Sequence, residues 1–161
     1  MLSNFGVIFA PAADEAVAEL SRVLDAGGRA AFTAWLPGGA VSVLASAAQE
    51  LVRSALGAPP APPGFGWHDT SAVSELFARR GMSVSVAGQH ELVFTSPSPS
   101  DYLDVEVDNH PLAVSGFQLL QQLGQAERAR EDLLQVLTEH NEDAAAFRST
   151  SKYLVVVARA R

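Results

Sequence analysis

No cysteine occurs among the 161 residues, so disulfides, thiolate metal sites and a cysteine nucleophile are all excluded, a composition that suits a reducing compartment. Positive charge is also scarce: 11 Lys and Arg stand against 18 Asp and Glu, for a net charge of −7 and a pI near 4.9. A surface that tracks phosphates along a polymer needs clustered cations, and here they are scattered, so nucleic acid is not an expected partner. The chain has no basic stretch leading into a long apolar run, and no apolar segment reaches the roughly 18 residues needed to cross a bilayer. The expected location is therefore cytoplasmic, with no membrane partner. His68, His90, His110 and His140 show neither paired helical spacing nor cysteine neighbours, so no metal site is expected. Serines 42, 46, 54, 71, 74, 83 and 85 lack the strand–turn–helix setting of a nucleophile elbow, which disfavours a hydrolase. There is no internal repeat and no tail of like charge.

What is present suits one globular domain over residues 1–161, since 48% hydrophobic and 18% charged residues are ample for a packed core. Asp14 and Glu15 sit where the first turn of a helix places them, and Val17, Leu20 and Leu24 recur at helical spacing. Gly27 and Gly28 end that helix, and Arg29 to Trp35 is short, apolar and aromatic, as a buried strand is. A second amphipathic helix is expected over Val41 to Leu56. The proline-rich stretch Gly57 to Gly66 must be irregular. Asp69, Thr70 or Ser71 can then cap a helix through Arg80, ended by Gly81.

Two strand-like runs follow, Met82 to Ala87 and His90 to Thr95, joined at Gly88-Gln89 by a hairpin turn or by a bulge in one bent strand. Ser100 or Asp101 can cap a short helix carrying Tyr102, Leu103 and Val105. Helices are expected over Leu112 to Leu123 and Gln125 to Glu142. Tyr153 to Ala158 is continuously apolar, which predicts a central strand covered on both faces, Val155 and Val157 towards one helix layer, Leu154 and Val156 towards the other.

Four pieces of this succession resemble class I S-adenosylmethionine-dependent methyltransferases of the ubiquinone/menaquinone-biosynthesis type, also called methyltransferase type 11. They are Leu2-Ser3-Asn4-Phe5-Gly6-Val7-Ile8-Phe9, Glu19 to Leu24 with Gly27-Gly28-Arg29, Thr33-Ala34-Trp35, and Tyr153 to Ala158. In order and spacing they are similar to the C-terminal half of that family. The resemblance implies an α/β fold: a truncated, Rossmann-like methyltransferase sheet made of the last strands, with packed helices and a helical insert on the acceptor side. Met1 to Ser3 would be what remains of the fourth strand, and Tyr153 to Ala158 the antiparallel strand inserted near the sheet edge.

By the same resemblance the cofactor-binding first half is missing. Neither the glycine-rich turn that approaches the cofactor nor the acidic residue that takes its ribose hydroxyls is found, and each missing βα unit needs on the order of 30 residues. The implied function is methylation of a small organic acceptor by S-adenosylmethionine, with the isolated chain inactive and not expected to bind the cofactor. The alternative is a cofactor-free small-molecule-binding or dimerisation module derived from a methyltransferase. With four strands removed, Arg29 to Trp35 becomes an apolar edge, which Met1 to Ala10 could cover or which could pair with a second copy or a companion chain; a homodimer is the expected outcome.

The resemblance also places candidate residues. Ser3, Asn4 and Phe5 would lie at the carboxyl end of the fourth strand, beside the cofactor, although Asn4 can equally cap a turn and Phe5 fill the core. Trp35 would form the mouth of the same crevice and stack on a flat acceptor, or else pack in the core. Phe65 and Trp67 are candidates for the acceptor site, and His68 for a general base towards a phenol or enol; the competing reading is that Asp69 caps a helix and the aromatics anchor the loop. Gly64-Phe65-Gly66 is no phosphate loop, because no strand delivers it to a helix. The acidic run Asp101, Asp104, Glu106 and Asp108 lacks the glycine and terminal glutamate of a calcium loop and reads as a solvated face.

Overall fold

The computed structural model describes residues 1–60 and 64–160, with all side chains but those of residues 111 and 112. It is a mixed α/β structure in which a four-stranded sheet of order β1-β2-β4-β3 is formed by β1 (Leu2–Ser3), β2 (Arg29–Trp35), β3 (Met82–Ser96) and β4 (Phe147–Ala160). The helices are α1 (Ala13–Val23), α2 (Gly39–Ala55), α3 (Thr70–Ala78), α4 (Pro99–Asn109), α5 (Pro111–Gln122) and α6 (Ala126–Glu139). No helix among the described residues is long and apolar enough to cross a membrane. Ala61, Pro62 and Pro63 of the expected proline-rich loop lie outside the described residues.

The chain forms two compact units, one from Met1–Pro37, Pro63–Glu91 and Lys152–Arg161, the other from Gly38–Pro62 and Leu92–Ser151. Each draws on separate stretches of sequence, so no single cut in the chain divides them.

In the first unit β1 runs parallel to β2, with Leu2 opposite Ala31 and Ser3 opposite Phe32, while β4 runs antiparallel to β2 from Arg29↔Arg159 to Trp35↔Tyr153. The expected edge is thus covered, but only by a two-residue strand. The N–H of Ala31 donates to the Met1 carbonyl at 3.0 Å and the Met1 ammonium to the Arg29 carbonyl at 2.8 Å. Because side chains alternate across a strand, Ala30, Phe32 and Ala34 share one face with Leu154, Val156 and Ala158, and all six are buried. Val17 of α1 and Val73, Leu76 and Phe77 of α3 close this core; Phe77 stacks on Phe32 with centroids 5.8 Å apart. Asp69 caps α3, accepting the N–H groups of Ser71 and Ala72 at 2.9 and 3.1 Å, and Gly81 follows the helix at φ +70°.

The opposite face of this sheet departs from expectation. Val155 and Val157 are only half-buried, and Leu2 is 86% exposed, because the helices of this unit gather on the Phe32 side. A continuous apolar run had implied cover on both faces; it has full cover on one.

In the second unit Ala40, Tyr102, Leu103, Leu133, Leu137 and Phe147 form the core, with Tyr102 stacked on Phe147 at 4.6 Å. Helix α2 packs on α5 and α6. Burial, with Glu106 beside it, pushes the Tyr102 phenol well above its ordinary range. Of the two arrangements open at Gly88-Gln89 the structure has the single strand, over residues 82–96. Two further expectations are corrected. The cap of α4 is Ser98, whose hydroxyl oxygen accepts the Asp101 N–H at 3.1 Å; Pro99, with no N–H to satisfy, opens the helix. And β4 begins at Phe147, six residues before the apolar run, because Ser149 and Ser151 are buried in it.

Candidate functional site

Residues at the carboxyl ends of parallel neighbours β1 and β2 meet on the open face of the sheet. Beyond β1 the chain turns sharply: the Val7 N–H donates to Ser3 Oγ at 2.9 Å, and Phe5 has φ +52°, the one positive φ at a non-glycine residue among those described. Such a conformation costs a bulky side chain of order 1 kcal/mol and persists only where neighbours fix it. Two contacts fix it here. The Phe5 N–H donates to Thr33 Oγ1 at 2.8 Å, and the Thr33 hydroxyl donates onward to Asn4 Oδ1 at 3.0 Å. The Phe5 ring lies flat on Trp35, with centroids 3.9 Å apart and planes 6° from parallel.

Tyr153, opposite Trp35 in the ladder, stands edge-on to both rings at 5.4 and 5.8 Å. His90 of β3 comes within 5.6 Å of Tyr153, centroid to centroid. Phe5, Trp35 and Tyr153 are half-buried, so the cluster is an aromatic shelf at a strand end with an imidazole and an amide at its rim. Shelves of this kind bind flat apolar molecules through ring faces and orient them by a few polar groups.

The sequence candidates divide between the two faces of β2. Trp35 lies three residues after Phe32 and therefore on the other side of the strand. Trp67 packs edge-on against Phe32 at 5.5 Å, is 4% exposed, and belongs to the core; it offers no ring face to an acceptor. Phe65 rests against Trp67 at 5.1 Å, anchoring the loop on that side. His68 is exposed, and its side chain has no hydrogen-bond partner among the described residues; it follows Trp67 and has no contact with the shelf. Grouping Trp35 with Phe65, Trp67 and His68 is thus corrected: Trp35 joins Phe5 and Tyr153, with His90 as the nearby imidazole. Tyr153 was visible as part of a strand, but its partnership with Trp35 depends on the antiparallel register.

Ser3, Asn4 and Phe5 do not have the donor set of an S-adenosylmethionine site. Ser3 Oγ is engaged by Val7, Asn4 Oδ1 by Thr33, and the Phe5 ring by Trp35. No carboxylate stands among them for ribose hydroxyls, and the donors left unengaged among the described residues are the Asn4 amide N–H groups and the Ser3 hydroxyl. Their geometry fits a turn that builds the shelf. Among the described residues no cluster of three His, Cys, Asp or Glu could hold a metal ion. In the acidic run Asp101, Asp104 and Asp108 are exposed; Asp101 pairs with the Ser98 hydroxyl at 2.6 Å and Asp104 with Arg130 at 2.5 Å.

The fold is similar to that of YcgJ from Bacillus subtilis, with a TM-score of 0.53 and 13% sequence identity over 99% of this chain. The chain spans 62% of the length of YcgJ. BH2331 from Bacillus halodurans C-125, described as a candidate methyltransferase, aligns at a TM-score of 0.48 and 12% identity over 98% of this chain and 67% of its own, a likeness too slight to bear weight. No family model matches the sequence, and no curated protein sequence does. At such identity what is shared with YcgJ is the α/β fold.

Proposed function

We propose that this chain is the acceptor-binding side of a methyltransferase-type α/β domain. It holds a small, flat, hydroxylated organic molecule and does not by itself bind S-adenosylmethionine. The observation that carries this reading is the stack of Phe5 on Trp35, edged by Tyr153, at the carboxyl ends of two adjacent parallel strands. Open α/β sheets bind ligands at this end. The four sequence pieces that resemble methyltransferases support the class of chemistry, and the fold shared with YcgJ over 62% of its length supports the α/β scaffold.

In this reading the shelf contributes binding and orientation, through ring faces and the Asn4 amide. His90, whose ring centroid lies 5.6 Å from that of Tyr153, is the imidazole placed to accept a proton from a phenolic or enolic hydroxyl through a ring nitrogen. In this reading the methyl donor is held with the help of a companion chain or a second copy.

Equilibrium dialysis with 1-naphthol as probe tests the reading. Retention is expected to be saturable with one site, and weakened about tenfold, or roughly 1.4 kcal/mol, in Phe5→Ala. Retention equal in wild type and Phe5→Ala, with both folded by circular dichroism, would contradict it.

A further inference from the structure

At the other end of β2, on the same open face, Arg29 lies directly opposite Arg159 in the antiparallel ladder. Directly opposed residues have α-carbons about 4.5–5.5 Å apart, and like charges so placed destabilise a sheet. Neither guanidinium forms an ion pair or side-chain hydrogen bond among the described residues. Arg22, Arg53, Arg80, Arg130, Arg148 and Lys152 each stand against a carboxylate, whereas Arg29 and Arg159, like Arg79 and Arg128, do not among the described residues. The two arginines rim a groove of about 370 Å³ whose remaining lining is Val157, Val84 and the exposed Ser83 and Ser85. Among the described residues no acidic side chain lines it.

We infer that this groove is a binding site for a phosphoryl group. Two guanidinium forks supply two positive charges and a surplus of N–H donors in planar pairs, and the serine hydroxyls supply two more donors. A phosphate monoester near neutrality carries close to two negative charges on three terminal oxygens, which matches this set better than a carboxylate with one charge on two oxygens. A volume of about 370 Å³ admits a phosphate and a modest organic group. The groove is six residue steps of β2 from Trp35, roughly 20 Å, so it is separate from the aromatic shelf and does not depend on the function proposed for it.

Calorimetry at low ionic strength with pyrophosphate as probe tests the inference. One-site binding is expected, weakened about tenfold in Arg29→Gln and in Arg159→Gln and unchanged in Arg79→Gln, an exposed arginine outside the groove. Without pyrophosphate, Arg159→Gln is expected to melt no lower than wild type, since it removes a like-charge contact. Capture on vesicles containing phosphatidic acid, displaced by free pyrophosphate, would assign the phosphoryl group to a lipid headgroup; failure of such vesicles to compete would assign it to a soluble ligand. Absence of saturable pyrophosphate binding, or equal weakening by Arg79→Gln, would overturn the inference.

Discussion

The hydroxyl oxygen of Ser149, 1% exposed in β4, accepts the backbone N–H of Ala40 at 3.1 Å, so the first turn of α2 is capped by a strand more than a hundred residues away in sequence. Ser151 does the same for Val41 at 3.3 Å. The approach is close enough that a Cβ on Gly39, at φ +76°, would stand 2.6 Å from the Thr150 carbonyl. Ser149→Ala leaves a buried N–H without its acceptor and is expected to cost about 1–2 kcal/mol. Gly39→Ala is expected to cost more, because it adds a backbone clash to a left-handed conformation. Urea denaturation of both variants measures the difference.

A carboxylate on the two faces of β4 should have unequal effects. Val156 is 1% exposed against Phe32, whereas Val157 is half-buried on the open face. Val156→Asp is expected to cost several kcal/mol by burying an unpaired charge, and Val157→Asp markedly less, because water reaches it. Equal losses in urea midpoint would mean that the open face is covered in solution.

The reading of individual elements shows where sequence suffices. Local signals placed α1, α3, α5 and β2 closely, because caps, glycine stops and apolar spacing are properties of neighbouring residues. The first half of β4 is not legible locally, because Ser149 and Ser151 look like loop residues until α2 supplies the N–H groups that let them be buried. Trp67 and Trp35 look alike in composition and differ only in which face of β2 they meet, a matter of strand parity and loop path. Gly88-Gln89 permits either a hairpin or the single strand β3, and local sequence does not decide between them. The shelf itself needed the register that sets Trp35 against Tyr153.

Glu142 gives a pH dependence. Its carboxylate accepts the Thr150 N–H at 2.7 Å and the Thr150 hydroxyl at 2.8 Å, with Arg148 at 3.6 Å, and these contacts, the backbone one foremost, hold its pKa below the usual glutamate range. A depressed carboxylate stabilises the fold above its unfolded pKa, and that contribution fades as pH falls through the folded value. Glu142→Gln is therefore expected to melt lower than wild type at pH ~6, with the two curves converging below pH ~4. A gap that persists at the acid end would show that the carboxylate charge plays no part.

The isolated chain is expected to show no saturable heat with S-adenosylmethionine in the micromolar range, an affinity worth roughly 8 kcal/mol that requires a formed site. Ser3 is engaged with its own turn, and Asn4 and Phe5 with Thr33 of β2. One-to-one binding by calorimetry would show that these residues rearrange into a cofactor site.

Nitrogen–proton correlation spectra of the isolated chain, titrated with 1-naphthol, test the acceptor shelf most directly, because the two indole N–H signals report the two faces of β2 separately. The account predicts that the Trp35 indole and the Phe5 amide shift together and saturate while the Trp67 indole stays in place. Movement of the Trp67 indole with Trp35 unmoved, or no saturable shift at either, would contradict it.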